Sequence, residues 1–256
     1  MAAFISEINE HVGEIIFDNP PVNAFNSKDW CDIAEAIQKF GDNPQVRVII
    51  IRAEGRGFCA GVDIKELAAD SQAIIKVNQG NYDTFRAIHQ NPKPVIVALQ
   101  GFVLGGGIGI AGAADIIIAS ECAQFGVPEI DRGAMGGGAH LQRLFPVQKV
   151  RAMYFTGEFI DAQEAWRLGA IEKVVPLEQL KTTAMTMALK IASKSPAMIK
   201  LAKESLNGIE DGNLENKYRW EQGFTYEAYK LSDSQEARDA FVGKRTAKFS
   251  STTANP

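Results

Sequence analysis

The chain has little cysteine and little histidine, three residues of each in 256. Cys31, Cys59 and Cys122 are far apart and form no C-x-x-C pair, which excludes a disulfide framework and a zinc site as organising devices. They are expected to be small, buried thiols. Positive charge is not in excess either: 27 Lys and Arg stand against 31 Asp and Glu, for a formal net charge of -4. Without a basic run interleaved with aromatics, no nucleic-acid partner is expected. No apolar stretch reaches the roughly 20 residues of a membrane span, and no basic segment followed by an apolar core opens the chain. No membrane partner is expected, and the location is expected to be cytoplasmic. Internal repeats are also absent.

What is present is a composition 46% hydrophobic and 23% charged, enough for a large buried core. Phe4 to Ile8 and Val12 to Phe17 read as two strands joined at Asn9 to His11. Ser27 is expected to cap a helix with Trp30, Ile33, Ala34, Ile37 and Phe40 on one face. Val46 to Ile51, Pro94 to Leu99 and Asp115 to Ser120 read as buried strands, and Ser71 to His89 as a helix. From Val147 onward helical periodicity dominates, and only Ala170 to Val175 resembles a strand. The expected organisation is α/β: residues 1–195 a core carrying the active site, residues 196–256 a helical oligomerisation region, ending in a polar tail from Phe249.

Glycine is concentrated between Leu99 and Leu144. Gly105, Gly106 and Gly107 follow a strand and precede about two helical turns, so backbone N–H groups are left free at a helix start. A second strand-to-loop transition, Glu54 to Glu66, leaves the Val62 N–H free before a helix expected from Asp63. Two such donors, Val62 and Gly106, are what an oxyanion hole for an acyl carbonyl requires. Gly107, Gly109 and Gly112 also match the dinucleotide fingerprint G-x-G-x-x-G. Gly101 to Leu104 separate strand from glycines, however, and the following helix is too short for a Rossmann crossover. The plainer alternative is that these glycines permit close helix packing.

FCAGVDIKE (Phe58 to Glu66), GFVLGGGIGIAGAADIIIAS (Gly101 to Ser120), AQFGVPEI (Ala123 to Ile130) and AFVGKR (Ala240 to Arg245) occur in this order. The chain so resembles the crotonase, or enoyl-CoA hydratase/isomerase, superfamily from about Ile5 to Phe249. The resemblance implies a crotonase-like spiral of ββα units with a helical C-terminal trimerisation region, a homotrimer or a hexamer built as a dimer of trimers, and an acyl-CoA substrate with no separate cofactor and no metal. It places the oxyanion amides on Val62 and Gly106 and the CoA contacts on Ala24, Ala60, Asp63 and Ile64. Asp63 can also be a simple helix cap.

One departure matters. Hydratases of this superfamily hold water between two glutamates; the second falls on Glu129 and the first on Gly109, which has no side chain. Glu129, Asp131 and His140 are therefore the catalytic candidates, although a salt bridge to Arg132 or Arg143 is the plain alternative for the acids and structural packing for the histidine. In extended chain Glu129 and Asp131 share a side. The stretches Pro128 to Glu158 and Ser195 to Thr225 resemble, more than they do ordinary hydratases, the crotonase-fold hydrolases that open a ring of a bicyclic diketone CoA thioester in bacterial steroid degradation. That implies a retro-Claisen cleavage. The alternatives are a single-glutamate enoyl-CoA hydratase or isomerase, and a CoA-binding scaffold without activity.

Overall fold

The structure, a computed structural model, describes residues 3–70, 72–210 and 212–248. The polar tail expected from Phe249 lies outside the described residues. A six-stranded sheet runs in the order Phe4–Asn9, Val12–Phe17, Val48–Ala53, Val95–Leu99, Ile116–Ser120, Lys173–Val175. The first pair is antiparallel and every later pair is parallel. The opening hairpin turns on Glu10 and His11, at φ of 46° and 69°, the left-handed conformation that suits the twist of a tight hairpin.

The β-branched run in Val48–Ala53 is buried on both faces. Val48 and Ile50 meet Leu180, Ala184, Ala188 and Ala192 of the helix Leu177–Ala192, which covers one side of the sheet. Ile49 and Ile51 point the other way, into a cluster with Phe17, Trp30, Ile37, Phe85 and Leu99 built on the helices Ser27–Asp42 and Ala73–His89. Strand periodicity of two sorts alternate residues to opposite faces, and each fully buried isoleucine contributes about 2 kcal/mol. The layers are therefore helix, sheet, helices.

Local details differ from expectation in physically simple ways. Asn26, not Ser27, caps Ser27–Asp42: its side chain accepts the Asp29 N–H at 2.9 Å while the Asp29 carboxylate accepts the Asn26 N–H at 3.2 Å. Ser27 instead ties two helices together, its N–H and hydroxyl donating to Glu66 at 2.8 and 2.7 Å. Cys59 is buried and its thiol is pushed up to about 12 by desolvation, but Cys31 and Cys122 are exposed. Among the described residues no helix is long and apolar enough to cross a membrane.

A smaller sheet positions the chemistry. Phe102–Leu104 and Gln124–Gly126 are parallel, with Leu104 opposite Gly126, and Ile160–Asp161 joins antiparallel. Cys59 bridges Val103, and the Leu104 N–H donates to the Cys59 carbonyl at 2.9 Å. Three segments thus run side by side and finish at one place: Gly61–Val62, the turn into Gly106–Ala113, and the 3-10 helix Pro128–Arg132. Loops at the carboxyl ends of parallel strands are where such folds place their ligands.

Candidate active site

Val62, Gly106 and Glu129 line one cavity of about 50 Å³. Gly61–Val62 pairs in parallel with Ala24–Phe25, and the Asp63 N–H donates to the Phe25 carbonyl at 2.9 Å. Strand alternation then turns the Val62 N–H away from that partner. Gly106 is the first residue of its helix, where an N–H has no intrahelical acceptor. A Cβ added to Gly61, at φ 94°, would stand 3.2 Å from the Gly106 nitrogen, so the two backbones are in contact. The helix begins at Gly106, so Gly106 and Gly107 lie inside it rather than before it.

Glu129 reaches this place from the 3-10 helix and rests on Gly105. A Cβ at Gly105 would lie 2.1 Å from Glu129 Oε1, and Gly105 adopts φ 50°, so both sterics and conformation demand glycine. Glu129 Oε2 is enclosed and has no protein partner. Desolvation raises the carboxyl from its ordinary 4.5 to about 7, and the Arg132 charge opposes this only in part. A carboxylate in that range accepts and returns a proton near neutral pH.

Asp131 and His140 are not brought to the cavity. Pro128–Arg132 is a 3-10 helix, not extended chain, so Asp131 does not share the side of Glu129. It is exposed, with Oδ2 only 2.6 Å from where a Gly157 Cβ would lie. Arg132 places its guanidinium over the Phe241 ring at 4.8 Å. His140 is buried edge-on against Phe85 and Tyr218, with ring centroids 4.7 and 4.8 Å away. Desolvation, helped by the Arg143 charge, lowers it to about 3, so it stays neutral and serves as packing.

Phe85 also explains Gly109. A Cβ on Gly109 would fall 2.1 Å from the Phe85 ring, which occupies the volume that any side chain there would need. Gly109 therefore leaves room for Phe85, a residue of the protein's own core, and among the described residues the cavity lining includes one carboxylate, Glu129.

Beyond Glu129 a second, smaller cavity is lined by Ala60, Val62, Ile64, Glu129, Arg132 and Arg238 among others. Ala60 and Ile64 thus face the approach to the oxyanion donors. Asp63 caps the helix Ile64–Ala69, accepting the Lys65 N–H at 2.9 Å, and Ala24 sits in the strand paired to Gly61. Residues past 195 complete both cavities: Tyr218, Thr225 and Tyr229 line the larger, Tyr229 and Arg238 the smaller. The division at 195 consequently does not separate the site from the helices that follow.

The motifs gave no sign of these helical contributions. Glu221 accepts the N–H groups of Gly138 and Ala139 at 2.5 and 3.0 Å and the Tyr154 hydroxyl at 3.1 Å, and the Thr225 hydroxyl donates to the Met135 carbonyl at 2.9 Å. The cavity wall from Ala134 to Gly137 is held in place by the helix Leu214–Tyr229 through these contacts at Met135 and Gly138. Asn78 and Asn81, on Ala73–His89, were also missed. Their signal was present: with Ile74 and Phe85 they occupy one face at i, i+4, i+7 and i+11, polar residues in a stripe that packs inward.

The profile of the enoyl-CoA hydratase/isomerase family matches residues 7–252. A Rhodococcus jostii protein described as a (7aS)-7a-methyl-1,5-dioxo-2,3,5,6,7,7a-hexahydro-1H-indene-carboxyl-CoA hydrolase is 46% identical over 230 residues, 89% of each chain. A Mycobacterium tuberculosis protein of the same description is 45% identical over 232 residues, covering 90% of this chain and 94% of that one. A probable enoyl-CoA hydratase of Mycobacterium bovis is 33% identical over 95% of this chain and 96% of its own. Among solved structures, a carnitinyl-CoA hydratase from Mycobacterium avium superposes with a TM-score of 0.84 at 29% identity, covering 97% of this chain and 98% of that one.

Proposed function

This chain belongs to the enoyl-CoA hydratase/isomerase family, the crotonase superfamily, and we propose that it catalyses hydrolytic carbon–carbon ring opening of a cyclic diketone acyl-CoA. It is an enzyme of that superfamily acting on CoA thioesters. The observation that carries the specific reading is the Phe85 ring in the space beside Gly109. Paired-glutamate water addition has no place for its first carboxylate, while the relatives at 45 and 46% identity are described as hydrolases of a dioxo carboxyl-CoA.

Glu129 takes a proton from water, and the hydroxide oxygen bonds to the ring ketone carbon. The resulting alkoxide collapses, breaking the adjacent ring C–C bond; its electron pair moves, where the acyl group is conjugated, onto the thioester oxygen held by the Val62 and Gly106 N–H groups. Glu129 returns its proton to the carbanion carbon. One water is consumed, one carboxylic acid is formed and no redox step occurs. CoA would approach along Ala24, Ala60, Asp63 and Ile64, of which Ala60 and Ile64 line the smaller cavity.

The finer reading extends to the setting. The acyl group is a steroid-derived bicyclic diketone, the enzyme works in the cytoplasm, and it assembles as a homotrimer or a dimer of trimers through residues 196–256. Met198, Leu201, Ile209 and Trp220, at 64, 59, 74 and 75% exposure, support that assembly, since a lone protomer leaves them in water.

A second reading, a single-base enoyl-CoA isomerase or hydratase, is favoured by Glu129 alone being sufficient to move one proton between carbons. Mass spectrometry after incubation with a bicyclic diketone-CoA and, separately, with crotonyl-CoA distinguishes them. Gain of one water with a new carboxylate on the diketone supports ring opening. Rapid hydration of crotonyl-CoA with an untouched diketone overturns it.

A further inference from the structure

Among the described residues, three buried polar side-chain atoms without a protein partner line the larger cavity: Glu129 Oε2, Asn78 Nδ2 and Asn81 Oδ1. Asn78 and Asn81 are 4 and 6% exposed. A buried amide that lacks a partner is costly, and natural structures tolerate one chiefly where a ligand or water completes it. Here two come from one helix, three residues apart, and both face the same volume as the carboxylate. Packing does not explain them, because the flanking members of the same stripe are Ile74 and Phe85.

Their local setting holds them in place. The Asn78 carbonyl accepts the Gln222 side-chain N–H at 2.6 Å, and Asn81 and Gln222 sit beside the Tyr218 hydroxyl, all buried. The helix Leu214–Tyr229 therefore clamps this turn of Ala73–His89 against the cavity.

We propose that Asn78 and Asn81 form a polar acyl subsite: Asn78 Nδ2 donates to a carbonyl oxygen on the acyl ring, and Asn81 Oδ1 accepts one hydrogen of the attacking water while Glu129 accepts the other. The three unmatched atoms are one donor and two acceptors. A ketone supplies one acceptor, and a water supplies two donors, so ketone and water together complete the set. Asn78 thereby polarises the ketone and holds the alkoxide, and Asn81 is a positioning residue for the nucleophile. A purely aliphatic acyl chain would strand the Asn78 donor, and selection follows from that penalty.

The inference about Asn81 rests on the ring-opening reading; that about Asn78 needs only a carbonyl on the acyl group. Dissociation constants are measured for cyclohexanecarboxyl-CoA and its 3-oxo and 4-oxo derivatives, none of which is a β-diketone that turnover would consume. The wild-type protein is expected to bind at least one oxo form about tenfold or more tighter than the parent. Asn78→Leu should abolish that preference without weakening the parent, and Asn78→Ala, which removes the donor without adding bulk or a titratable group, should abolish it too. Equal binding of all three by wild type, or a preference that persists in both variants, overturns the Asn78 assignment whatever the enzyme turns over. With the diketone-CoA as substrate, Asn81→Leu is expected to lower kcat at least tenfold with KM within threefold of wild type. A change in KM alone overturns the water-positioning role, whereas a wild-type enzyme inactive on every diketone refutes the ring-opening reading and leaves the Asn78 result standing.

Discussion

The helix Ala73–His89 buries two asparagines, whereas the helix Pro196–Ile209 leaves Met198, Leu201, Leu206 and Ile209 in water and buries only Lys203. Each breaks the ordinary rule of apolar inside and polar outside, in opposite senses. Lys203 is satisfied within the protomer by Asp115 at 2.7 Å and by the Ile88 and Lys93 carbonyls, each at 3.1 Å. Asn78 Nδ2 and Asn81 Oδ1 are not satisfied. A buried polar atom left unmatched points to a small ligand, and an apolar helix face left uncovered points to another chain. The unmatched asparagine atoms are what the proposed substrate would complete, and the uncovered face of Pro196–Ile209 is what the proposed assembly would cover.

Changing the carboxylate that the asparagines face should give the largest effect. Glu129→Gln is expected to lower kcat for the diketone-CoA about a thousandfold, the scale of a lost general base, with CoA affinity close to wild type. The same variant should be more heat-stable at pH 8. The native carboxyl is raised from 4.5 to about 7, so the folded protein disfavours ionisation, and stability falls as pH rises through that window. Relief of that penalty amounts to at most about 3 kcal/mol, seen as a higher Tm at pH 8 and little change near pH 4.

Gly105→Ala attacks the same site through the backbone. The new methyl meets Glu129 Oε1 in a conformation at φ 50° that alanine resists, and about a hundredfold loss of kcat is expected with CoA binding retained. Activity within threefold of wild type would show that the carboxylate does not need its seat on Gly105.

On the helix Pro196–Ile209, Leu201→Glu with Ile209→Glu should dissociate the proposed trimer, read by sedimentation, while secondary structure by circular dichroism is unchanged. Unaltered sedimentation would mean that this helix face is not where copies meet. The smallest effect is expected at Gly109. Gly109→Glu forces a side chain into the Phe85 ring and should cost about 2 kcal/mol, a Tm lower by several degrees, without creating crotonyl-CoA hydration. Efficient hydration by this variant would show that Phe85 yields its place readily.

The large sheet was legible in the sequence because Val48–Ala53 and its neighbours carry long β-branched runs, and the helix Leu214–Tyr229 because its apolar spacing persists over 16 residues. Ala24–Phe25, Phe102–Leu104 and Gln124–Gly126 were not read as strands, since two or three residues display no period. Yet these short strands bring Val62, Gly106 and Glu129 together. The free N–H groups at two strand-to-loop transitions point to Val62 and Gly106, and motif likeness adds Glu129; Asp131 is displaced because a proline at the first position of Pro128–Arg132 and Gly133 in the left-handed conformation close that segment into a 3-10 turn rather than extended chain. His140 is a candidate by its closeness to Glu129 in the chain, with structural packing as the alternative, and packing is where the fold puts it. The ring that hides it, Phe85, comes from 55 positions earlier in the chain.

In the proposed reaction a single carboxylate, Glu129, carries the proton, and the pH dependence of kcat/KM on the diketone-CoA reads that role. Burial holds Glu129 at about 7 and its active form is ionised, while His140, lowered to about 3, stays neutral throughout. The expected profile therefore rises about tenfold per pH unit up to near pH 7 and then stays level, a one-group limb that disappears in Glu129→Gln. A bell-shaped profile, or a rising limb that survives the glutamine substitution, would mean that a second ionising group shares the chemistry with Glu129.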